Sequence, residues 1–276
     1  PTDFMGIQGE NHEHDLLVAD LHALRTGESC ELSLIAPAYD EEESLPRLYA
    51  RVAEVLGDST DWELVLVDDG SKDSTAQVIR DLTAQDPRVR GIFFAANRGQ
   101  TAATAAGLHL AKGRLVATLD ADMQNDPVDL PGMIDVMGDH DAVVGYRIKR
   151  NDTFIRRISS RIANNVRNKL SGDSIRDTGC SLKVFRSRAI RSVPLFEGMH
   201  RFLPTLLRIH GFSVIEHGVS HHPRAVGVSK YGVWNRVFKS LRDLFAVRWM
   251  RSRLISMPIA AVGSDQVDAQ RVRSSD

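Results

Sequence analysis

The sequence predicts an α/β fold in which a mostly parallel central sheet is flanked by helices. Short apolar runs alternate with helical patterns of apolar residues, and this alternation is typical of parallel strands joined by crossover helices. Each apolar run also ends in a polar loop. Because right-handed crossovers bring such loops to one edge of the sheet, that edge is the expected ligand site.

The individual elements follow from hydrophobic periodicity. Strands are predicted at residues 32–36, 62–67, 90–95, 115–119, 143–147 and 213–217. Helices are predicted at residues 45–56, 73–84, 101–112 and 202–210. The acidic residues before the first helix are expected to give it a negatively charged first turn, which its dipole favours, and Gly57 ends it.

Composition narrows the class of protein. The 276 residues can bury a substantial core, and a formal net charge of −1 leaves any attraction to phosphate or membranes to local patches. No nucleic-acid partner is expected. Cys30 and Cys180 form neither a disulfide framework nor a metal-ligand cluster and fit a reducing compartment. The sequence has no signal-peptide pattern and no apolar run long enough to span a bilayer.

Two acids one residue apart, Asp120 and Asp122, follow the fourth predicted strand. Alternate residues of a strand point the same way, so both carboxylates are expected to face one point. Hard oxygen donors there suit Mg²⁺ or Mn²⁺, which keep waters and are completed by substrate phosphates. The alternative is a polar turn in which Asp122 or Asn125 caps the next helix. No glycine-rich phosphate loop is present, so a phosphate site must rely on metal and basic side chains.

Four motifs at the ends of the predicted strands together resemble the signature series of family-2 glycosyltransferases. The motifs are Pro37-Ala38-Tyr39-Asp40-Glu41-Glu42, Val67-Asp68-Asp69-Gly70-Ser71-Lys72-Asp73-Ser74-Thr75, Asn97-Arg98-Gly99 and Asp120-Ala121-Asp122-Met123-Gln124. The series is most similar to the branch containing dolichol-phosphate mannose synthase and bacterial undecaprenyl-phosphate sugar transferases, over about residues 32–250. Asp40 departs from the pattern, since the family usually has Asn there.

This resemblance implies a GT-A-type nucleotide-diphosphate-sugar transferase fold and an inverting transfer. The positions that match the nucleotide-sugar site are Pro37, Tyr39, Glu41, Asp68, Asp69, Asp120 and Ala121. The positions that match the Mg²⁺ or Mn²⁺ site are Asp120, Asp122 and Gln124. The metal would neutralise the diphosphate leaving group. For Asp69 the alternative is a turn residue before Gly70.

The resemblance also implies an acceptor-phosphate site at Arg147, Arg156 and Ser160, within a basic amphipathic segment. Arg156 and Ser160 are four residues apart and share one helical face; the alternative is a solvated basic face. Asp177 matches the acceptor loop, where it would act as a base or an extra metal ligand. Arg224 and Lys230 match a lid that closes over the diphosphate, and with Asp122 and Asp177 they complete the implied catalytic set. The adjacent His221 and His222 cannot easily share one metal ion, which disfavours zinc.

The expected organisation has four parts. These are a flexible N-terminal arm (1–30), a catalytic domain (31–232), a basic amphipathic helix (233–256) and a disordered tail (257–276). Tryptophans and a basic polar face favour seating of the helix on an anionic membrane surface, although its apolar stripe would equally pack on the sheet. We expect peripheral association with the cytoplasmic side of a membrane, either directly or through a separate membrane-anchoring subunit; a homo-oligomer is left open.

The sequence therefore predicts a metal-dependent transfer of a sugar from a nucleotide-diphosphate-sugar to a polyprenyl phosphate such as dolichyl or undecaprenyl phosphate. Two alternatives remain. The first is a family-2 glycosyltransferase that acts on a saccharide or another non-polyprenyl acceptor. The second is a catalytically inactive nucleotide-binding subunit, which the intact Asp-x-Asp motif disfavours.

Overall fold

A computed structural model describes residues 29–148, 174–194, 196–222 and 233–254, with side chains in the last segment from residue 242. Within these residues seven strands form one sheet in the order β3-β2-β1-β4-β6-β5-β7. The strands are β1 (Cys30–Ala38), β2 (Trp62–Asp68), β3 (Val89–Phe93), β4 (Gly113–Thr118), β5 (Ala142–Arg147), β6 (Lys183–Arg186) and β7 (Val214–Val219).

Six of these strands run in the same direction, and β6 runs against them. Strands β1 to β4 are parallel to one another where they pair, and β5 is parallel to β7. Strand β6 lies between β4 and β5 and is antiparallel to both. The carboxyl ends of six strands and the amino end of β6 therefore meet at one edge of the sheet.

The described helices cover both faces of this sheet. They are α1 (Leu45–Leu56), α2 (Thr75–Gln85), α3 (Gln100–Leu110), α4 (Leu130–Met137), α5 (Ser187–Ile190), α6 (Leu203–Ile209) and α7 (Val233–Ser252), with short 3₁₀ turns at Pro127–Asp129 and Met199–Arg201. On one face, α1, α2 and α4 pack on alternate residues of the strands, such as Leu34 and Leu64. On the other, α3, α6 and α7 pack on the intervening residues, such as Ile35 and Val65. Strands buried on both faces explain the continuous apolar runs in the sequence.

The structure confirms the predicted fold class and corrects details. Strand β2 continues to Asp68, and the Ala-rich helix α3 ends at Leu110. The expectation of a negatively charged first turn in α1 was wrong, because this helix begins at Leu45 and its first turn holds a proline and no acid. Gly57 ends α1 as expected. In the described part of the chain, none of the helices combines the length and apolar character needed to cross a bilayer.

Helix α3 approaches the sheet closely at Gly107, which generates a test of the packing. A β carbon at Gly107 would collide with Cγ2 of Ile35, a branched and fully buried side chain that cannot easily move. We expect Gly107→Ala to lower the free energy of unfolding by about 1–3 kcal/mol, measured by urea denaturation. Gly132→Ala in α4 is the matched control, because its β carbon would only contact His217 Nε2 at 3.7 Å. Gly132→Ala should leave the free energy of unfolding unchanged or raise it by up to about 1 kcal/mol. An equal loss of stability in Gly107→Ala and Gly132→Ala would contradict the close packing of α3 on Ile35.

Candidate active site

The polar loops of the chain converge on the edge where the strands end, as the sequence predicted. The loops that follow β1, β2 and β4 carry the residues expected to bind nucleotide and metal. The loop before β6, here called the acceptor loop (Asp177–Leu182), reaches the same edge from the opposite direction because β6 is antiparallel. The end of β5, at Arg147, lies beside it.

The loops after β1 and β2 are tied together by hydrogen bonds. The amide of Asp40 donates to Ser71 Oγ at 2.9 Å, and Asp40 Oδ1 accepts from the amide of Lys72 at 2.8 Å. The amide of Glu41 donates to Thr75 Oγ1 at 2.7 Å. Asp40 has a φ of 52°, a left-handed conformation that Asn and Asp tolerate better than other residues with a β carbon. An Asp therefore serves where the family usually has Asn, since either side chain supplies the accepting oxygen.

The remaining residues of the expected nucleotide site lie along these loops. Pro37 and Tyr39 are half-buried at the end of β1, and Asp68 and Ala121 are buried. Glu41 accepts a hydrogen bond from Ser44 Oγ at 2.7 Å.

Asp69 is buried, and its carboxylate organises the loop that leads into α3. Oδ1 accepts from the amide of Arg98 at 2.7 Å, and Oδ2 accepts from the amide of Gly99 at 2.8 Å and from Asn97 Nδ2 at 3.0 Å. Burial raises the pKa of Asp69 above its usual value; the two backbone hydrogen bonds oppose this, and the negative charges of Asp68 and Glu197 add to it. Asp69 is therefore more than a turn residue, because it fixes three successive residues of a neighbouring loop.

The segment Asp120–Asp126, here called the metal-site loop, is a turn and not a strand extension. Strand β4 ends at Thr118, so the expectation that strand alternation aligns Asp120 and Asp122 was wrong. Asp120 is half-buried and accepts from Gln100 Nε2 at 2.8 Å. Asp122 is only 5% exposed, and its Oδ1 accepts from the amide of Gln124 at 3.1 Å. Met123, which follows Asp122, has a φ of 59°, so a left-handed residue turns the chain between Asp122 and Gln124.

Asp126, the last residue of the metal-site loop, caps the 3₁₀ turn Pro127–Asp129. Neither Asp122 nor Asn125 has that role. Asp126 accepts from the amide of Val128 at 2.9 Å and forms a two-point ion pair with Arg51 of α1, with distances of 2.9 and 3.2 Å. Burial acts to raise the pKa of Asp126, but the hydrogen bonds from Arg51 and Val128 and the nearby positive charges outweigh it, so the pKa lies below its usual value.

Arg147 and Asp177, expected in the acceptor-phosphate and catalytic roles, bind each other. Arg147 Nε donates to Asp177 Oδ2 at 2.7 Å and Nη2 donates to Oδ1 at 2.9 Å, and both side chains are largely buried. The amide of Gly179 also donates to Asp177 Oδ1 at 3.1 Å. A β carbon on Gly179 would lie 3.0 Å from Arg147 Nη2, so the guanidinium would have to shift slightly to admit one.

Sequence reasoning considered His221 only as a zinc ligand and did not single out Lys183, although both basic side chains lie near these groups. His221 Nδ1 is buried and has no hydrogen-bond partner among the described residues. Burial and the positive charge of Arg147 lower the pKa of His221. A hydrogen bond to the backbone of Gln124 and the negative charges of Asp122 and Asp177 act to raise it but do not outweigh the burial. Lys183 is fully buried under the acceptor loop and donates to the carbonyl of Cys180 at 2.5 Å; burial lowers its pKa. Nothing in the sequence indicated that Lys183 is buried, because the short strand that it begins has no periodic signal.

In the described parts of the chain, no three His, Cys, Asp or Glu side chains already converge as a metal cluster. The donor set still fits Mg²⁺ or Mn²⁺, because the carboxylates of Asp120 and Asp122 and the amide oxygen of Gln124 are hard ligands that substrate phosphates would complete. The unpartnered Nδ1 of His221 is a further donor close to Asp122. Arg156, Ser160, Arg224 and Lys230 lie outside the described residues.

Helix α7 divides its apolar residues between the core and the surface. Leu244 and Val247 are buried with the second core, whereas Phe245 and Trp249 are 60% and 61% exposed. Arg242, Arg248 and Arg251 are exposed on the same helix. The interpretation that the apolar stripe packs on the sheet therefore holds for Leu244 and Val247, whereas Phe245 and Trp249 face outward and the membrane contact stays a prediction.

Comparison with solved structures identifies the class of fold. Glucosyl-3-phosphoglycerate synthase from Mycobacterium tuberculosis, in complex with Mn²⁺, uridine diphosphate and phosphoglyceric acid, superposes with a TM-score of 0.61 at 16% identity, covering 91% of this chain and 87% of that one. A mannosyltransferase from Pyrobaculum calidifontis, in complex with GDP-mannose and Mn²⁺, gives 0.59 at 20% identity, covering 85% and 68%. The fold is that of the GT-A glycosyltransferases.

Sequence comparison then gives the family. Residues 33–194 match the model of glycosyl transferase family 2, and the chain belongs to this family. Dodecaprenyl-phosphate galacturonate synthase from Rhizobium johnstonii is 41% identical over 227 residues, which cover 80% of this chain and 67% of that protein. Undecaprenyl-phosphate 4-deoxy-4-formamido-L-arabinose transferase from Aeromonas hydrophila is 36% identical over 209 residues, covering 75% and 64%. This chain thus spans about two thirds of the length of these relatives.

The Asp126 cap provides a test of how the metal-site loop is anchored. We expect Asp126→Ala to lower the free energy of unfolding by about 0.5–2 kcal/mol at neutral pH, because the cap and the Arg51 pair are both lost. The pKa of Asp126 is lower in the folded protein than in the unfolded chain. Its carboxylate therefore stabilises the protein above about pH 4, and this stabilisation is lost as the pH falls through the pKa of the folded protein. The difference between wild type and variant should therefore shrink in acid, measured by urea denaturation across pH.

Glu54→Ala is the matched control for this experiment. Glu54 also pairs with Arg51, at 2.8 Å, but its side chain is 68% exposed, so its removal should change the unfolding free energy by less than about 0.5 kcal/mol. A pH-independent effect of Asp126→Ala would contradict the role of its charge.

Proposed function

We propose that this protein transfers a sugar from a nucleotide-diphosphate-sugar to a polyprenyl phosphate, with inversion at the sugar carbon and with Mg²⁺ or Mn²⁺ as cofactor. The observation that carries the proposal is the arrangement at the sheet edge. Loops after β1, β2 and β4 present Asp69, Asp120 and Asp122, while Arg147, a cation suited to phosphate, lies beside them at the end of β5. The two relatives named for polyprenyl-phosphate substrates support the choice of acceptor.

The reaction needs a phosphate oxygen of the acceptor to attack the anomeric carbon of the sugar. One carbon–oxygen bond forms, the bond from that carbon to the nucleoside diphosphate breaks, and its electron pair leaves with the diphosphate. Attack from the side opposite the leaving group inverts the carbon. A phosphate monoester has its second pKa near about 6 and is largely a dianion at neutral pH, so no strong base is required.

Given that chemistry, Asp177 acts as a positioning residue. Both of its carboxylate oxygens bind Arg147, which fixes the plane of the guanidinium at the end of β5. A fixed guanidinium holds its positive charge in a defined direction for an incoming phosphate. Arg156 and Ser160 would complete the acceptor site, and Arg224 and Lys230 would close over the diphosphate and exclude water.

The metal site lies at the turn that carries Asp122. Asp120, Asp122 and Gln124 would hold the ion, and the neutral imidazole of His221 offers a nitrogen ligand from the end of β7. The ion supplies Lewis-acid stabilisation of the charge that develops on the departing diphosphate. Without it, the acids at this edge would repel the diphosphate.

Helix α7 provides the membrane contact in this proposal. Phe245 and Trp249 are exposed four residues apart, and the exposed charges around them are arginines. Aromatic side chains and arginines together favour the headgroup region of an anionic leaflet, such as that of the cytoplasmic face. Peripheral seating would bring the sheet edge to the polyprenyl phosphate.

The direct test is to incubate the purified protein and Mn²⁺ or Mg²⁺ with a panel of sugar nucleotides and polyprenyl phosphate, and to analyse the lipids by mass spectrometry. We expect a lipid-linked sugar from one donor. Product only with a saccharide acceptor would overturn the choice of acceptor, and no turnover of any donor would favour an inactive nucleotide-binding subunit.

We expect Asp122→Ala to lower the transfer rate at least about a hundredfold and to weaken Mn²⁺ binding, because a buried ligand for the ion is lost. The thermal unfolding midpoint should stay within a few degrees of wild type. Asp81→Ala, on the exposed face of α2, is the control and should leave both unchanged. Full activity of Asp122→Ala would refute the metal assignment.

We expect the double variant Phe245→Ser/Trp249→Ser to bind phosphatidylglycerol vesicles on the order of tenfold more weakly than wild type in a flotation assay. Wild-type binding should also weaken as salt is raised, because part of the attraction is electrostatic. Val136→Ser, which alters an exposed apolar residue of α4, is the control. Equal flotation of all three proteins would rule out α7 as the contact.

A further inference from the structure

Asn125 lies in the metal-site loop, but its side chain binds two other parts of the chain. It is only 4% exposed. Its Oδ1 accepts from Ser181 Oγ at 3.1 Å, and its Nδ2 donates to the carbonyl of Ser220 at 3.4 Å and approaches Cys180 Sγ at 3.6 Å. Ser181 and Cys180 belong to the acceptor loop, whereas Ser220 follows β7.

Ser181 carries this connection back to the beginning of the metal-site loop. Its Oγ, which donates to Asn125, also accepts from the amide of Asp120 at 3.2 Å. Its carbonyl accepts from Thr118 Oγ1 at 2.8 Å. The acceptor loop therefore holds the metal-site loop near both ends, at Asp120 and at Asn125.

The turn between those two points needs such support. Met123 has a φ of 59°, and a left-handed conformation is unfavourable for a residue with a β carbon. A strained turn persists only where neighbouring contacts fix it. The Asn125 contacts and the bond from the amide of His222 to the carbonyl of Gln124, at 2.8 Å, are positioned to do so.

We propose that Asn125 is a positioning residue that locks the metal-site loop to the acceptor loop, so that the metal ion and the acceptor phosphate are held in one fixed relation. The amide group suits this role because it accepts from one loop and donates to another, and a buried network with its partners in place is rigid. The identity of the two ligands, the metal ion and the acceptor phosphate, rests on the proposed function. The hydrogen bonds of Asn125 and Ser181 are independent of that function.

Mn²⁺ binding tests the effect on the metal site. In titrations of Mn²⁺ with UDP or GDP, followed by the electron paramagnetic resonance of free Mn²⁺, we expect Asn125→Ala and Ser181→Ala each to weaken binding about fivefold or more. The double variant should be little weaker than either single variant, because the two side chains act as one unit. Val52→Ala, a buried residue of α1, controls for general destabilisation and should leave Mn²⁺ binding unchanged. Unchanged binding in Asn125→Ala, or additive losses, would overturn the proposal.

Hydrogen exchange tests the connection between loops without any substrate. Asn125→Ala should speed amide exchange in segments 120–126, 177–182 and 218–222 together, whereas Val52→Ala should not single these out. Unchanged exchange at 177–182 in Asn125→Ala would overturn the proposal. Because no acceptor is present, coupled exchange combined with absent lipid transfer would count against the proposed function alone.

Discussion

Pairing of the antiparallel strand β6 between β4 and β5 is the constraint on which the site depends. Its register joins Thr118 to Lys183 on one side and Val144 to Lys183 on the other. Had β6 been parallel, the acceptor loop before it would emerge at the opposite edge of the sheet. The reversal brings Asp177 to Arg147 at the end of β5 and brings Ser181 to the loop after β4.

The charges at this edge of the sheet are divided between its two halves. Asp69, Asp120 and Asp122 lie at loops of the first half, where the proposed function would place a metal ion and the diphosphate of the donor. The guanidinium of Arg147 lies in the second half, oriented by Asp177. Lys183, buried between them, lies near the charges of Asp120 and Asp177. In the proposed function, donor and acceptor meet at the boundary between β4 and β6, and the buried hydrogen bonds of Asn125 and Ser181 cross that boundary.

Much of this arrangement could be predicted from the sequence because it is local. Apolar runs that end in polar loops predicted β1 to β4. The four motifs in those loops predicted Asp69, Asp120 and Asp122 as site residues. Asp40 is an example of a departure that local geometry explains, since its left-handed backbone accepts Asp as well as Asn.

What the sequence missed depends on contacts between distant residues. The short strand β6 lacks a periodic signal, so its direction could not be predicted. The Arg147–Asp177 ion pair depends on that direction and could not be predicted either. The Asp126 cap was missed because its selection over Asp122 and Asn125 depends partly on Arg51, which is 75 residues away. The left-handed backbone of Met123, directly after Asp122, could not be predicted either, because this conformation is uncommon for methionine. The burial of Lys183 depends on the pairing of β6 with its two neighbours, and the burial of His221 Nδ1 depends on the fold around the end of β7, so neither could be predicted.

The central claim is that the turn at Asp122 holds the metal and the diphosphate beside Arg147. Anomalous diffraction at the manganese absorption edge, from crystals grown with Mn²⁺ and a nucleoside diphosphate, tests it most directly. The account predicts one strong peak next to the carboxylate of Asp122, with the density of the diphosphate in contact with that peak. A peak at another edge of the sheet, or diphosphate bound away from Asp122, would contradict it.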